Sequence, residues 1–266
     1  MKDILNHLFE HKTLSKAEAR QVFTDIAANK YNASQMVAFM TAYCMRSITV
    51  EELEGFRDAM LELCIRVEFK GYPTIDVCGT GGDGKDTFNI STLSTFVVAG
   101  AGYHVTKHGN YGVSSGCGSS NVMEALGYQF HSNQDKLKKE IETAGVCFLH
   151  APLFHPAMKA VASLRKELAV KTFFNMLGPM VNPAFPTHQF VGVFSLELAR
   201  LYNYLYQKTD KRFIIVHGLE GYDEISLTCP FKIYGNEQER IITVKETGFE
   251  PLKLDQLKSG TDVAGS

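Results

Sequence analysis

The sequence predicts an α/β fold, with a small N-terminal helical domain ahead of a larger α/β domain that has a mostly parallel central sheet. Three observations lead there. No strand candidate occurs before residue 74. After residue 71, short β-like runs alternate with helix-like segments, the pattern of a parallel sheet with helices on both faces. Between the two regions, Lys70-Gly71-Tyr72-Pro73 has the composition of a linker.

The helical elements are read from their starts and their faces. Ser15 to Glu18 has the form S-x-x-E, a capping box, and the apolar residues Val22, Phe23 and Ile26 follow it. Thr49 to Glu52 repeats the device, and Leu53, Phe56, Met60, Leu63 and Val67 share one helical face behind it. Between them, Met36 to Met45 is nearly all apolar. A helix apolar on most sides is buried, within its own domain or in a subunit interface.

The strand candidates are Thr74–Cys78, Tyr103–Lys107, Phe190–Phe194 and Arg212–His217. Ser119 to Leu126 and Leu196 to Gln207 read as helices between them. The segment Leu252 to Ser266 is polar, either a loose tail or a chain that stops inside a larger unit.

Composition narrows the function. The 266 residues suffice for one large domain, or for one large and one small. The formal net charge is −2, without the basic excess that a nucleic-acid binder shows, so no nucleic-acid partner is expected. Six cysteines, widely spaced in apolar stretches and without a CxxC pair, read as reduced thiols of a cytoplasmic protein. The first residues lack the apolar core of a signal peptide, and the longest apolar run, around Phe96 to Gly102, is too short to span a bilayer. No membrane partner is expected either.

Four places carry chemistry. Gly79-Thr80-Gly81-Gly82-Asp83-Gly84 follows a strand and precedes a helix, where backbone N–H groups can turn onto a phosphate. The same glycines also suit a tight turn without ligand. The text is neither G-x-G-x-x-G nor a P-loop, which weakens a dinucleotide or ATP reading. Asp83 makes sense there if the ligand also offers ribose hydroxyls or a bound cation. Thr87, Asn89, Ser91 and Thr92 add neutral donors, and Ser91 can give a lone pair to Mg²⁺. Helix capping is a second role open to these residues. Lys107 to Asn121 is a second anion-binding candidate, a lysine at a strand end followed by small donors and a helix start; Asn121 to Glu124 resembles a capping box. Loops at the carboxyl ends of parallel strands share one edge, so the two can hold a pyrophosphate and a 5′-phosphate together. Asp223-Glu224 emerges on that edge after the strand 212–217; read alone it is a solvated surface pair, and read with the phosphate loops it is a Mg²⁺ site. Arg165, on a helix, offers the fork of N–H donors that suits a carboxylate. The nine histidines show no metal-binding spacing, and no nucleophilic triad stands out.

Together these stretches resemble the anthranilate phosphoribosyltransferases. The matching text is D-V-C-G-T-G-G-D from Asp76, T-F-N-I-S-T from Thr87, K-H-G-N from Lys107 and V-S-S from Val113. It continues with H-P-A-M-K from His155, R-K-E-L from Arg165, F-N-M-L-G-P-M-V-N-P from Phe174 and D-E-I-S from Asp223. The resemblance implies a helical domain over 1–70, joined in space by helices around 160–185, and an α/β domain over 71–266 that binds phosphoribosyl pyrophosphate and lacks its C-terminal part. It implies that Gly79, Gly82, Asp83, Thr87, Asn89, Ile90, Ser91, Thr92, Lys107, His108, Gly109, Asn110, Tyr111, Gly112, Val113, Ser114, Ser115 and Ser119 surround phosphoribosyl pyrophosphate. Gly79, Asn110 and Arg165 would meet anthranilate. Ser91, Asp223 and Glu224 would hold two Mg²⁺ per subunit of a homodimer. The sequence departs from the family where Tyr111, Gly116 and Asn121 stand in place of the usual Arg, Lys and Asp.

The activity so implied is transfer of a phosphoribosyl group to the amine of anthranilate, a step of tryptophan synthesis, by positioning and electrostatics with no catalytic acid or base. The alternatives are a pyrimidine nucleoside phosphorylase, against which the G-T-G-G-D loop and the acidic pair stand, and a non-catalytic relative that binds nucleic acid.

Overall fold

The structure, a computed structural model, describes residues 1–85, 87–112 and 117–257. It begins with four helices: α1 (Lys2–Phe9), α2 (Lys16–Ala27), α3 (Ala33–Cys44) and α4 (Val50–Leu63). Capping boxes start three of them, on Ser15 with Glu18, Asn32 with Gln35 and Thr49 with Glu52. Each box satisfies two backbone donors that a helix start otherwise leaves open.

The rest of the chain builds the sheet and its helices. In order come β1 (Thr74–Gly79), α5 (Ile90–Gly100), β2 (His104–Gly109), α6 (Ser119–Ala125), α7 (Gln134–Ala144), β3 (Val146–His150), α8 (Ala151–Phe154), α9 (Lys159–Leu168) and α10 (Phe174–Leu177). They are followed by β4 (His188–Gly192), α11 (Leu196–Tyr206), β5 (Arg212–Gly218), β6 (Phe231–Gly235) and β7 (Glu239–Ile242). The strand order is β3-β2-β1-β4-β5-β6-β7. β1 to β5 run parallel, and β6 and β7 are added antiparallel. The chain moves outward in one direction from β1 to β3 and in the other from β4. The reversal lies between β1 and β4, and such a reversal leaves a crevice at the carboxyl ends of the strands.

An aromatic cluster ties distant parts of the chain together. Phe56 stacks on Phe173 with ring centroids 4.6 Å apart, and Phe39 meets Phe173 edge-on at 6.0 Å. Phe23 packs on Phe174 at 5.8 Å. Val161 and Leu164 of α9 belong to the same buried cluster. The segment around residues 157–181 therefore packs with the first four helices although a hundred residues of sheet separate them.

Three strands escape the sequence pattern. β3 follows α7 with only Gly145, at φ 70°, between them, so a five-residue strand directly abuts a helix with almost no turn signal to mark the change of element. β6 and β7 form an antiparallel ribbon at the sheet edge, where β7 (Glu-Arg-Ile-Ile) is exposed and carries little apolar signal. The fourth expected strand is displaced: β4 spans His188–Gly192 and not 190–194. Asn121 also differs from its expected role. It does not start a capping box with Glu124; it lies inside α6, and its side-chain oxygen accepts the N–H groups of Gly112 (3.2 Å) and Gly118 (2.9 Å). Among the described residues no helix is long and apolar enough to cross a membrane.

Candidate active site

A cavity of about 510 Å³ opens at the carboxyl ends of the parallel strands, between them and α9 and α10. The loop after β1 forms one wall. Gly81, Gly82 and Gly84 take φ values of 63°, 75° and 72°, which side chains other than glycine rarely adopt. The loop after β2 forms the facing wall, and the segment after β3 lies beside it.

The acidic pair stands where the crevice closes. Asp223 is buried, and its Oδ2 accepts the Gly81 N–H at 2.6 Å. Glu224 Oε2 accepts the Thr87 hydroxyl at 3.1 Å. A Cβ on Gly79 would lie 2.6 Å from Asp223 Oδ2, and one on Gly192 would collide with the Asp223 backbone. Both glycines are thus needed for this approach. Burial, then the neighbouring Asp83, raises the Asp223 pKa to about 6. Burial, then Asp223, raises Glu224 to about 8. Carboxylates that repel one another in this way are chemically suited to a hard cation that keeps waters and substrate oxygens as its other ligands. No cluster of three or more His, Cys, Asp or Glu side chains is arranged as a metal cage among the described residues.

The helix start opposite is preformed. Asn89 caps α5, its Oδ1 accepting from the Thr92 N–H (3.2 Å) and the Thr92 hydroxyl (2.7 Å). Thr92 is buried by this role, and neither it nor Ile90 lines the cavity. Ser91 does line it. Lys107, 1% exposed, donates to Val77 O (2.8 Å) and Ser91 Oγ (3.3 Å), so its ammonium sits beneath the start of α5. Burial lowers its pKa, and Asp76 is the main opposing attraction.

Of the residues singled out from the sequence, Gly79, Gly82, Asp83, Thr87, Asn89, Ser91, Lys107 to Gly112, Ser119, Arg165, Asp223 and Glu224 all border this one cavity. Val113, Ser114, Ser115 and Gly116 lie outside the described residues. Arg165 has no acidic partner among the described residues, rests over the Phe174 ring at 5.2 Å, and has its pKa lowered by burial. A desolvated guanidinium of this kind suits an incoming carboxylate. Tyr111 stacks edge-on against His150 at 5.0 Å and donates to Glu124 at 2.6 Å, so it is held by the protein itself.

Some lining residues were not singled out. His155 is one of them; it faces His108, which was expected here, at 5.0 Å, and burial pushes the two down to about 3 and about 4, leaving both neutral. Lys171 bonds to the Gly82 carbonyl and so reaches the glycine loop from the connection between α9 and α10. His155 belongs to an H-P-A-M-K stretch whose only signal was its text. Lys171 had none, because its role depends on two segments meeting that lie far apart in sequence.

Residues 71–265 match the glycosyl transferase family, a/b domain, and residues 2–64 match its helical bundle domain. The chain is 62% identical to an anthranilate phosphoribosyltransferase of Christiangramia forsetii over all of its own length and 80% of that relative's. The crystal structure of anthranilate phosphoribosyltransferase from Thermus thermophilus superposes with a TM-score of 0.89 at 33% identity, over 98% of this chain and 79% of that one. The Saccharomyces cerevisiae enzyme, solved in complex with phosphoribosyl pyrophosphate and magnesium, gives 0.87 at 26% identity, over 96% and 76%.

Proposed function

The chain belongs to the anthranilate phosphoribosyltransferases of the glycosyl transferase family, and from that membership we propose how its cavity works. The protein is a pentosyltransferase of tryptophan synthesis. It takes phosphoribosyl pyrophosphate and anthranilate and releases N-(5-phosphoribosyl)anthranilate and pyrophosphate. The observation that carries the reading is one cavity holding both an acidic pair, one member buried and one half-buried, and a half-buried guanidinium without an acidic partner among the described residues.

The glycine loop and the loop after β2 embrace the pyrophosphate and the 5′-phosphate, with Thr87, Ser91 and Ser119 as neutral donors. The site requires Mg²⁺; Ser91, Asp223 and Glu224 would hold two ions per subunit, and the metal supplies charge neutralisation for the pyrophosphate. Arg165 takes the anthranilate carboxylate, and Asn110 orients the amine toward the ribose. The nitrogen lone pair forms the bond to C1 as the C1–oxygen bond to pyrophosphate breaks. The electron pair leaves with the pyrophosphate, and the nitrogen releases a proton. The amine is neutral beforehand, so the protein's contribution is positioning and electrostatics. Residues 1–70 with the helices around 160–185 form the helical domain, and 71–266 the substrate-binding α/β domain.

We also infer a cytoplasmic homodimer. Phe9, at the end of α1, and Met45, just after α3, are exposed by 59% and 79%, a surface a second copy would cover. Light scattering tests the dimer, and calorimetric titration the metal count. The nucleoside phosphorylase and nucleic-acid readings are not favoured. Anthranilate fluorescence decides the reaction: it falls only when phosphoribosyl pyrophosphate and Mg²⁺ are both present. Thymidine phosphorolysis without Mg²⁺, and no loss of anthranilate, would overturn the reading.

A further inference from the structure

The β1–β2 ladder ends early beneath the cavity. β1 pairs with β4 as far as Gly79↔Gly192, and β2 pairs with β3 as far as Gly109↔His150. Between β1 and β2 the pairing is confined to Thr74↔His104 and Ile75↔Val105. Beyond that point the ladder gains no further pairs although the strands remain neighbours, and side chains take over some of their backbone groups. Asp76 Oδ1 accepts the His108 N–H at 3.3 Å. Lys107 Nζ donates to Val77 O at 2.8 Å, and Asn182 Nδ2 donates to Thr106 O at 2.7 Å. Buried backbone groups must find partners, and these contacts supply them where the ladder ends. The early end has a consequence at the surface: Cys78 and Gly79 form one lip of the cavity, and Lys107, His108 and Gly109 the other.

We propose that Asp76 is a positioning residue, whose carboxylate takes the place of the β1–β2 ladder where the ladder ends and thereby sets Lys107 and His108 in the substrate cavity. Asp76 has 0% exposure and touches no substrate position itself. It acts in two ways. Its acceptor fixes the backbone of His108, and its charge favours the buried Lys107 ammonium, against the effect of burial, more than any other group does. Burial raises the Asp76 pKa, while Lys107, then Asn182, the His108 N–H and Gln189 favour its charged form. A buried carboxylate held in this way is stable only while the His108 N–H and the nearby ammonium stay in place.

The kinetic consequence rests on the transferase reading, and the experiment separates the two. Asp76→Asn keeps the volume and an acceptor for His108 but removes the charge. Calorimetry with inorganic pyrophosphate and Mg²⁺ is expected to show binding weakened about tenfold or more, as for other buried charge pairs that lose one partner. The KM for phosphoribosyl pyrophosphate rises in proportion, and that for anthranilate changes by less than about threefold, with Tm within about 4 °C of the native protein. A lower Tm with both KM values and pyrophosphate affinity unchanged would mean a structural role alone and would overturn the proposal. Asp76→Ala supplies a readout independent of the reaction. The His108 amide should exchange with deuterium about tenfold faster, while the amides of β4 keep their protection. Unchanged exchange at His108 would overturn the proposal whatever the substrate. Faster exchange in an Asp76→Ala variant of a protein that turns over no anthranilate would leave the positioning role standing and remove the transferase reading.

Discussion

In the helical region Glu52 is a carboxylate at 0% exposure that accepts the Leu14 N–H at 2.9 Å and the Tyr43 hydroxyl at 3.0 Å and pairs with Arg46. At the strand ends Asp223 is also buried and Glu224 half-buried, but they stand side by side, with Asp83 beside them and no cation among their hydrogen-bond partners within the described residues. The first site resolves its charge internally, and its pKa falls: burial pushes it up, and Arg46 with the N–H groups of Leu14 and Thr49 outweighs that. The second leaves its charge unresolved, and its pKa values rise. The contrast separates stability from function. A group whose partners are all supplied by the chain holds the fold, and a group whose partner must come from outside waits for a ligand.

The sharpest way to break the comparison is to neutralise the acidic pair. Asp223→Asn with Glu224→Gln should lower turnover on the order of 10³-fold, the scale for loss of a major electrostatic group. The same change should leave Tm unchanged or raise it. Glu224 has its folded pKa raised to about 8, so the folded state binds the proton more tightly than the unfolded one, and stability falls as pH rises from about 4.5 to about 8. The variant, measured without metal at pH 8, escapes that loss. A drop in both turnover and Tm would mean that the pair holds the fold.

The opposite behaviour is expected in the aromatic cluster. Phe56→Ala should cost about 3–5 kcal/mol in denaturant unfolding, the range for removing a large buried ring. The fraction that remains folded should keep its KM values. A changed KM would show that the cluster also orients α9 and Arg165.

The smallest effect concerns pH. The Glu52 pKa is lowered below 4.5 in the folded state, so its stabilisation is present above that value and is lost as pH falls through the lowered pKa. Tm followed from pH 6 downward should decline less steeply in Glu52→Gln than in the native protein, and the variant should be the less stable of the two at neutral pH. Parallel curves would mean that Arg46 and Glu52 do not stabilise the fold through charge.

Much of the fold was legible because it depends on local rules. The S-x-x-E starts of α2 and α4 and the parallel alternation after residue 74 come from backbone capping and burial periodicity, both of which act within a few residues. β3 and β7 were not legible. One follows α7 after the single residue Gly145, and the other is paired only through its neighbour β6. In the cavity, Gly79, Asp223, Glu224 and Arg165 were visible as chemical types in motifs, whereas Lys171 was not.

The sequence by itself determined the helical start, the glycine loop and the order in which anion-binding segments follow strands, since each is encoded by residues close to one another. Only the tertiary structure decided that Lys107 is buried against Val77, that Gly79 and Gly192 make room for Asp223, and that α9 joins the first four helices. Those contacts join residues far apart along the chain. Their energy comes from burial and charge in a shared space, which no local pattern records.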